Sequence, residues 1–152
     1  MSTCGVTTTD WDTATAVLRL AAELVDGIQH GLAERGFTDV RPVHGFAFAR
    51  LSGAPATTAQ LAEHLGITKQ ATSELVAHLV QSGYLTRRPD PDDRRALLLE
   101  LTDRGHACTH AAQKAAADTV DRWNTKLTPR QRADLPSTLA AISSPGRLRP
   151  AW

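Results

Sequence analysis

The sequence has little of several things at once. Aromatic residues make up 5% of it, as three tryptophans, three phenylalanines and one tyrosine, and there is a single methionine. Its core has to be built from Leu, Ala and Val, which favours packed helices over a β-sandwich. Cysteine is limited to Cys4 and Cys108, without a CxxC or a Cys/His metal spacing. Neither a disulfide framework nor a metal centre is therefore expected, and a reducing compartment suits both thiols. No apolar run approaches the roughly 20 residues that a membrane helix needs. The polar, Thr-rich stretch Met1 to Asp10 does not read as a signal peptide, so a soluble, cytoplasmic protein without membrane contact is expected. Net charge is only +1, so bulk charge alone does not point to nucleic acid. Phosphate loop, nucleophile elbow and paired-carboxylate motif are all missing, and His64, His78, His106 and His110 have no recognisable partners. The chain is not expected to be an enzyme or to carry a cofactor.

What is present is an ordinary globular balance, 41% hydrophobic and 22% charged over 152 residues, enough for one domain with a sizeable core. Residues 1–10 read as a tail, 11–144 as a single domain and 145–152 as a second tail. Val17, Leu20, Ala21, Leu24, Val25, Ile28 and Leu32 recur at helical spacing, which predicts a helix over about 11–36 that stops at Gly36. A second helix starts at Pro42, a good first-turn residue, and runs to about Leu51. Ser52-Gly53-Ala54-Pro55 then breaks the chain.

The next stretch is richer in signals. Thr57 followed by Gln60 forms a capping box that opens a short helix with Leu61, Ala62 and Leu65 buried, and Gly66 ends it. Thr68 caps another helix, with Ala71, Leu75 and Leu79 on its inner face and Gln70, Ser73, Glu74 and Ala77 on its outer face. Gly83 closes it. Two helices joined by a tight glycine turn make a helix-turn-helix. Tyr84 to Arg88 and Ala96 to Leu101 are strand candidates on either side of Pro89-Asp90-Pro91-Asp92-Asp93, a dense run of turn formers. The result is a β-hairpin wing with Arg87, Arg88, Arg94 and Arg95 around its tip. Thr102 then caps a long helix with Cys108, Ala112, Ala115, Ala116, Val120, Trp123 and Leu127 as its stripe. Thr128-Pro129-Arg130-Gln131 opens a last helix, in which Pro136 should produce a kink or a split. The expected fold is mainly α with a small β-wing: a winged helix-turn-helix over about 41–101, flanked by N- and C-terminal dimerisation helices over about 11–36 and 102–143. Both flanking segments are amphipathic and leave apolar surface uncovered, so a homodimer is expected.

From Gln60 to Gly105 the sequence reads QLAEHLGITKQATSELVAHLVQSGYLTRRPDPDDRRALLLELTDRG. In order, it contains LAxxLGI, a helix ending in GY before the wing, DPxDRRA at the wing tip and LTxxG at the start of the long helix. This run resembles the MarR family of transcription regulators. The resemblance implies a sequence-specific repressor that acts as a homodimer on inverted-repeat, double-stranded DNA and is released by a small, often aromatic and anionic, ligand.

The resemblance also implies that Thr68–Ser82 enters the major groove. The physics of the helix start agrees, because its free amides and partial positive charge suit a phosphate. Lys69 adds a full charge there, Gln70 can present its amide to adenine, and Ser73 is short enough to approach a base edge or phosphate. Glu74 either accepts from a cytosine or engages a neighbouring side chain, and the local pairing is preferred. By resemblance, Arg95 is the residue that reaches into the minor groove, and Asp93 is the acidic partner that holds it. Arg94, Arg87 and Arg88 are candidates for phosphate contacts.

For an effector, Trp11, His44 and Phe48 are the candidate ligand-binding residues. His30 and Phe46 lie near them, and Arg19 or Arg41 is placed to neutralise an anion. An ordinary core or surface role competes for each of these. A redox role is not expected of Cys4, in a tail, or of Cys108, on a buried-looking stripe. The competing function is a winged helix that serves as a protein-interaction or dimerisation module without specific DNA binding. Such a module has no need for Asp93 and Arg95 in this setting. From Thr57 to Leu101 five basic residues (Lys69, Arg87, Arg88, Arg94, Arg95) face six acidic ones (Glu63, Glu74, Asp90, Asp92, Asp93, Glu100). Attraction to DNA must then come from arrangement, with a modest salt dependence.

Overall fold

The computed structural model describes residues 8–144 and 146. It orders the chain as α1 (Thr8–Glu34), α2 (Pro42–Gly53), α3 (Thr58–Leu65), α4 (Lys69–Gln81), β1 (Leu85–Pro89), β2 (Leu97–Leu101), α5 (Asp103–Asn124) and α6 (Pro129–Ile142). This is a mainly helical chain with a two-stranded wing, the winged helix-turn-helix of the expected class. Cys4, Arg147, Arg149 and Trp152 lie outside the described residues. The first helix begins at Thr8, inside the stretch expected to be a tail. Asp10 sits in its first turn, where a negative charge complements the helix dipole.

The helix starts follow their caps. Thr57 accepts the Gln60 amide at 3.2 Å while the Gln60 side chain accepts the Thr57 amide at 2.9 Å. Thr128 and Gln131 repeat this exchange at α6. Thr68 caps Ala71 and Thr102 caps Gly105, both at 3.1 Å. Between α3 and α4 the chain turns through Gly66 at φ 69°, a left-handed conformation that side chains with a Cβ resist. Gly83, at φ 78°, redirects the chain from α4 into the wing in the same way.

The core lies among α2, α3, α4, the wing and the first half of α5. Phe48, Leu51, Leu61, Leu65, Val76, Leu79, Tyr84 and Leu99 are all at most 5% exposed. In α4 the buried face is Thr72, Leu75, Val76 and Leu79, and Ala71 is exposed. Steps of four residues from Leu75 and Leu79 drift off the helix face, whereas 72, 75, 76 and 79 stay on it. In α5 the buried line is Gly105, Cys108, Ala111, Ala115 and Thr119, leaving Ala112, Ala116 and Val120 half-buried.

The most extensive helix–helix contact joins α1 to α5. Small residues permit it: a Cβ on Gly31 would lie 2.5 Å from that of Ala115, and one on Gly27 would collide with Thr119. In the wing, β1 and β2 pair antiparallel with Leu85 opposite Leu101 and Arg87 opposite Leu99. Ala56, in the connector before α3, exchanges two backbone hydrogen bonds with Leu99 (3.3 and 2.8 Å) and so ties the wing to the helix-turn-helix.

The two ends of the chain are packed differently. In α1, Trp11, Val17, Leu18 and Leu20 are between 43% and 69% exposed. Val17, Leu20 and Ala21 of the expected apolar stripe therefore stay exposed among the described residues. The last helix buries none of its residues and is one helix through Pro136, so of the kink or split expected there the split does not occur. No helix among the described residues is long and apolar enough to cross a membrane.

Candidate nucleic-acid interface

The outer face of α4 is Lys69, Gln70, Ser73, Glu74 and Ala77, all exposed. Its inner face is fixed by the apolar packing described above, so the rotation of the helix is set from below. Thr68 Oγ1 is occupied as the cap, and Ser73 Oγ donates back to the Lys69 carbonyl at 2.9 Å. Glu74 takes the local option: its Oε1 accepts from Gln70 Nε2 at 3.4 Å. This pairing is weak and exposed, so it leaves the Gln70 amide available to a better partner.

The wing loop is held by its own acids. Asp90 Oδ1 accepts the Asp92 amide at 2.9 Å and Asp93 Oδ1 accepts the Arg95 amide at 3.0 Å. The Asp90 amide reaches the Ala96 carbonyl and the Ala96 amide the Asp93 carbonyl. Asp93 thus holds Arg95 through its main chain, and no ion pair joins the two side chains among the described residues. The guanidinium of Arg95 is left exposed, and so is that of Arg94. Arg88 differs. Its Nε donates to Glu100 Oε1 at 2.6 Å, a diagonal cross-strand pair that commits it to the hairpin. Among the described residues Lys69, Arg87, Arg94 and Arg95 form no ion pair within the chain, while Arg35, Arg88, Arg104 and Arg130 each do.

One cluster had no local signal in the sequence. The buried Tyr84 phenol donates to Asp39 Oδ1 at 2.6 Å and accepts from Arg104 Nη2 at 3.1 Å, with the Arg104 guanidinium 4.6 Å from the ring centre. The Tyr84 hydrogen bond holds the Asp39 carboxyl below its ordinary value, and burial pushes the Tyr84 phenol up. The cluster joins the α1–α2 connector, the residue ahead of β1 and the first turn of α5. Thr102 adds to it, donating to the Gly83 carbonyl at 2.6 Å.

The three ligand-binding candidates are not brought together. Phe48 borders a cavity among α1, α2 and α5. Trp11 is exposed near the start of α1. His44 is fully buried, but it is not part of the cavity wall. Its Nδ1 accepts the Arg41 amide at 3.1 Å, capping α2, and its ring centre is 5.3 Å from that of His78. With Nδ1 accepting, the proton of the neutral ring is on Nε2, which is buried without a hydrogen-bond partner among the described residues. Burial pulls this histidine down to about 4. Cys108 is buried as well, and burial pushes its thiol up to about 11. A thiol so far from ionising is a poor redox sensor.

Comparison with known proteins places these features in context. Residues 38–96 match the model of the MarR family. A comparison with curated proteins finds no match. Among solved structures, the chain is similar to RV1404 from Mycobacterium tuberculosis (27% identity, 91% of this chain and 93% of that one, TM-score 0.75). It is also similar to a mutant MarR from E. coli complexed with operator DNA (20% identity, 86% and 93%, TM-score 0.64). A third is the M. tuberculosis MarR family protein RV2887 in complex with salicylic acid (22% identity, 93% and 100%, TM-score 0.65).

Proposed function

We propose that this chain, whose residues 38–96 match the model of the MarR family, is a repressor of that family that binds an inverted-repeat operator as a homodimer and is released by a small ligand. The observation that carries the reading is the placement of four cations without an ion pair on the outer face of the helix-turn-helix and wing. Lys69 sits in the first turn of α4, Arg94 and Arg95 at the wing tip and Arg87 on β1, with none of them spent on an internal ion pair among the described residues. A helix N-terminus with an adjacent lysine suits a phosphate, and an arginine on a projecting loop suits the negative potential of a narrow minor groove. Gln70 and Ser73 are the residues proposed to read base edges. The homologue crystallised with operator DNA supports the DNA partner, and the one crystallised with salicylic acid supports a ligand.

The exposed apolar residues of α1 and α6 support the dimer. Trp11, Val17, Leu18, Leu139 and Ile142 lie on helices at the two ends of the chain, at 50% exposure or more, and a second copy is the simplest cover for them. Such a dimer sets two recognition helices about one turn of DNA apart, which gives the operator its two-fold repeat. Selection of bound duplexes from a randomised pool tests this. Enrichment of an inverted repeat supports the reading. An unenriched pool contradicts it and favours a protein-interaction module.

A further inference from the structure

Glu74 is the one acid in α4, and it stands on the outer face. At about 100° per residue around a helix, Gln70 and Glu74 fall on either side of the direction opposite the buried line of Thr72, Leu75, Val76 and Leu79, within about 30° of it. Both side chains therefore project away from the core, toward whatever α4 meets. Ala77 lies near the same line but ends at a methyl group. One helical turn separates Gln70 from Glu74, and in the free protein Gln70 Nε2 donates to Glu74 Oε1 at 3.4 Å. A glutamine amide has two donor hydrogens. The contact with Glu74 uses one of them and leaves the other, with the amide oxygen, to pair with an adenine. An ionised carboxylate only accepts, and its two oxygens can serve more than one donor.

We propose that Glu74 selects the operator sequence by accepting from the amino group of a cytosine, beside the base that Gln70 reads. This role for Glu74 rests on the regulator reading above. A carboxylate brought against DNA is repelled by the phosphates and gains only where a base offers it a donor. In the major groove those donors are cytosine N4 and adenine N6. Adenine sets its N7 acceptor beside N6, against the second carboxylate oxygen, whereas cytosine has no acceptor of its own on that edge. Guanine and thymine meet Glu74 acceptor to acceptor. The residue thus acts in two directions, with a hydrogen bond at the right base and repulsion at the wrong ones. Lys69 in the first turn of α4 and Arg87 and Arg94 on the wing offer attraction to phosphates, which every sequence carries. Glu74 cancels part of that attraction wherever the cytosine is missing.

The test is selection from a randomised duplex pool by the full-length protein, followed by binding measurements on the wild type and on Glu74→Gln. The wild type is expected to enrich one cytosine in each half-site. Changing that C·G pair to T·A should weaken the wild type by about 10-fold or more, the size of one good base contact, and Glu74→Gln by less than about 3-fold. The variant should also bind scrambled DNA more tightly than the wild type, because a repelling charge is gone. A merely structural role for Glu74 would not produce that gain. Glu74 is exposed and its bond from Gln70 is long, so the melting temperature should not change. Gln70→Ala separates the two residues: it should lose discrimination at a neighbouring base and keep the cytosine dependence. An enriched operator without such a cytosine, or a C·G to T·A penalty unchanged in Glu74→Gln, overturns this role and leaves the regulator reading intact. An unenriched pool overturns both.

Discussion

Tyr84 and Asp39 are 45 residues apart in sequence, yet the tyrosine hydroxyl donates to the aspartate at 2.6 Å from a ring that is fully buried. The pair ties the connector ahead of α2 to the root of the wing, and Arg104 ties both to α5. The position of the wing relative to the flanking helices depends on this cluster.

Removing the hydroxyl tests that dependence. Tyr84→Phe keeps the ring contacts with Phe37 and Phe48 but leaves Asp39 without its strongest donor. The expected cost is about 1–3 kcal/mol in urea unfolding. The Asp39 carboxyl should rise toward its ordinary 3.8 in an NMR titration. An unchanged Asp39 titration would show that the tyrosine does not hold it.

His44 gives the fold an acid limit. An unfolded histidine takes its proton near 6.5, whereas His44 in the fold does so only at about 4. The unfolded state therefore binds more protons across that window. Stability is complete above pH 6.5 and falls as pH drops toward 4, by roughly 3 kcal/mol in all. Asp39, also held low, adds its loss only below its ordinary 3.8. His44→Gln retains an acceptor for the Arg41 amide and removes the titration. Its unfolding free energy should be nearly flat between pH 6.5 and 4.5.

Two glycines should respond oppositely to the same methyl group. Gly31→Ala meets Ala115 in the tight α1–α5 contact and is expected to cost about 1–3 kcal/mol. Gly45→Ala, in mid-helix facing open space, is expected to stabilise by about 0.5–1 kcal/mol. Thermal unfolding of both variants measures the difference.

The elements most legible in the sequence were those with a local chemical signature. The caps at Thr57, Thr68, Thr102 and Thr128 placed four helix starts, and the proline- and aspartate-rich loop placed the wing. Periodicity was less decisive where alanine dominates. In α5, Ala111 and Ala112 carry the same side chain, and only the partner helix decides that Ala111 is buried. Ala71 and Thr72 raise the same difficulty in α4, where the threonine shares the face of Leu75, Val76 and Leu79 and its buried hydroxyl is satisfied by the Thr68 carbonyl. Two features had no local signature: the bridge of Ala56 to Leu99 and the Tyr84–Asp39–Arg104 cluster. Each is made by residues far apart in the chain. The scattering of Trp11, His44 and Phe48 has the same origin, because an aromatic or histidine on an amphipathic helix does not disclose which cavity it faces.

The wing makes a graded prediction. Asp93 fixes the Arg95 backbone and not its guanidinium. Asp93→Ala should then weaken operator binding by about 10-fold, and Arg95→Ala by about 100-fold, in keeping with ~1–3 kcal/mol per specific contact. Neither change should alter the oligomeric state in sedimentation. Equal losses in the two variants would mean that the loop's shape, rather than the arginine, is what DNA recognises.

Specific DNA recognition is decided by fluorescence anisotropy. Binding to the duplex that flanks the protein's own gene would be compared with a scrambled duplex at two salt concentrations, for the wild type and for Arg95→Ala. The expected result is a preference for the native flank of at least ~1000-fold, a modest salt dependence, and loss of that preference in the variant. Equal, weak binding to both duplexes, unchanged by Arg95→Ala, and an empty genome-wide selection of bound fragments would contradict it.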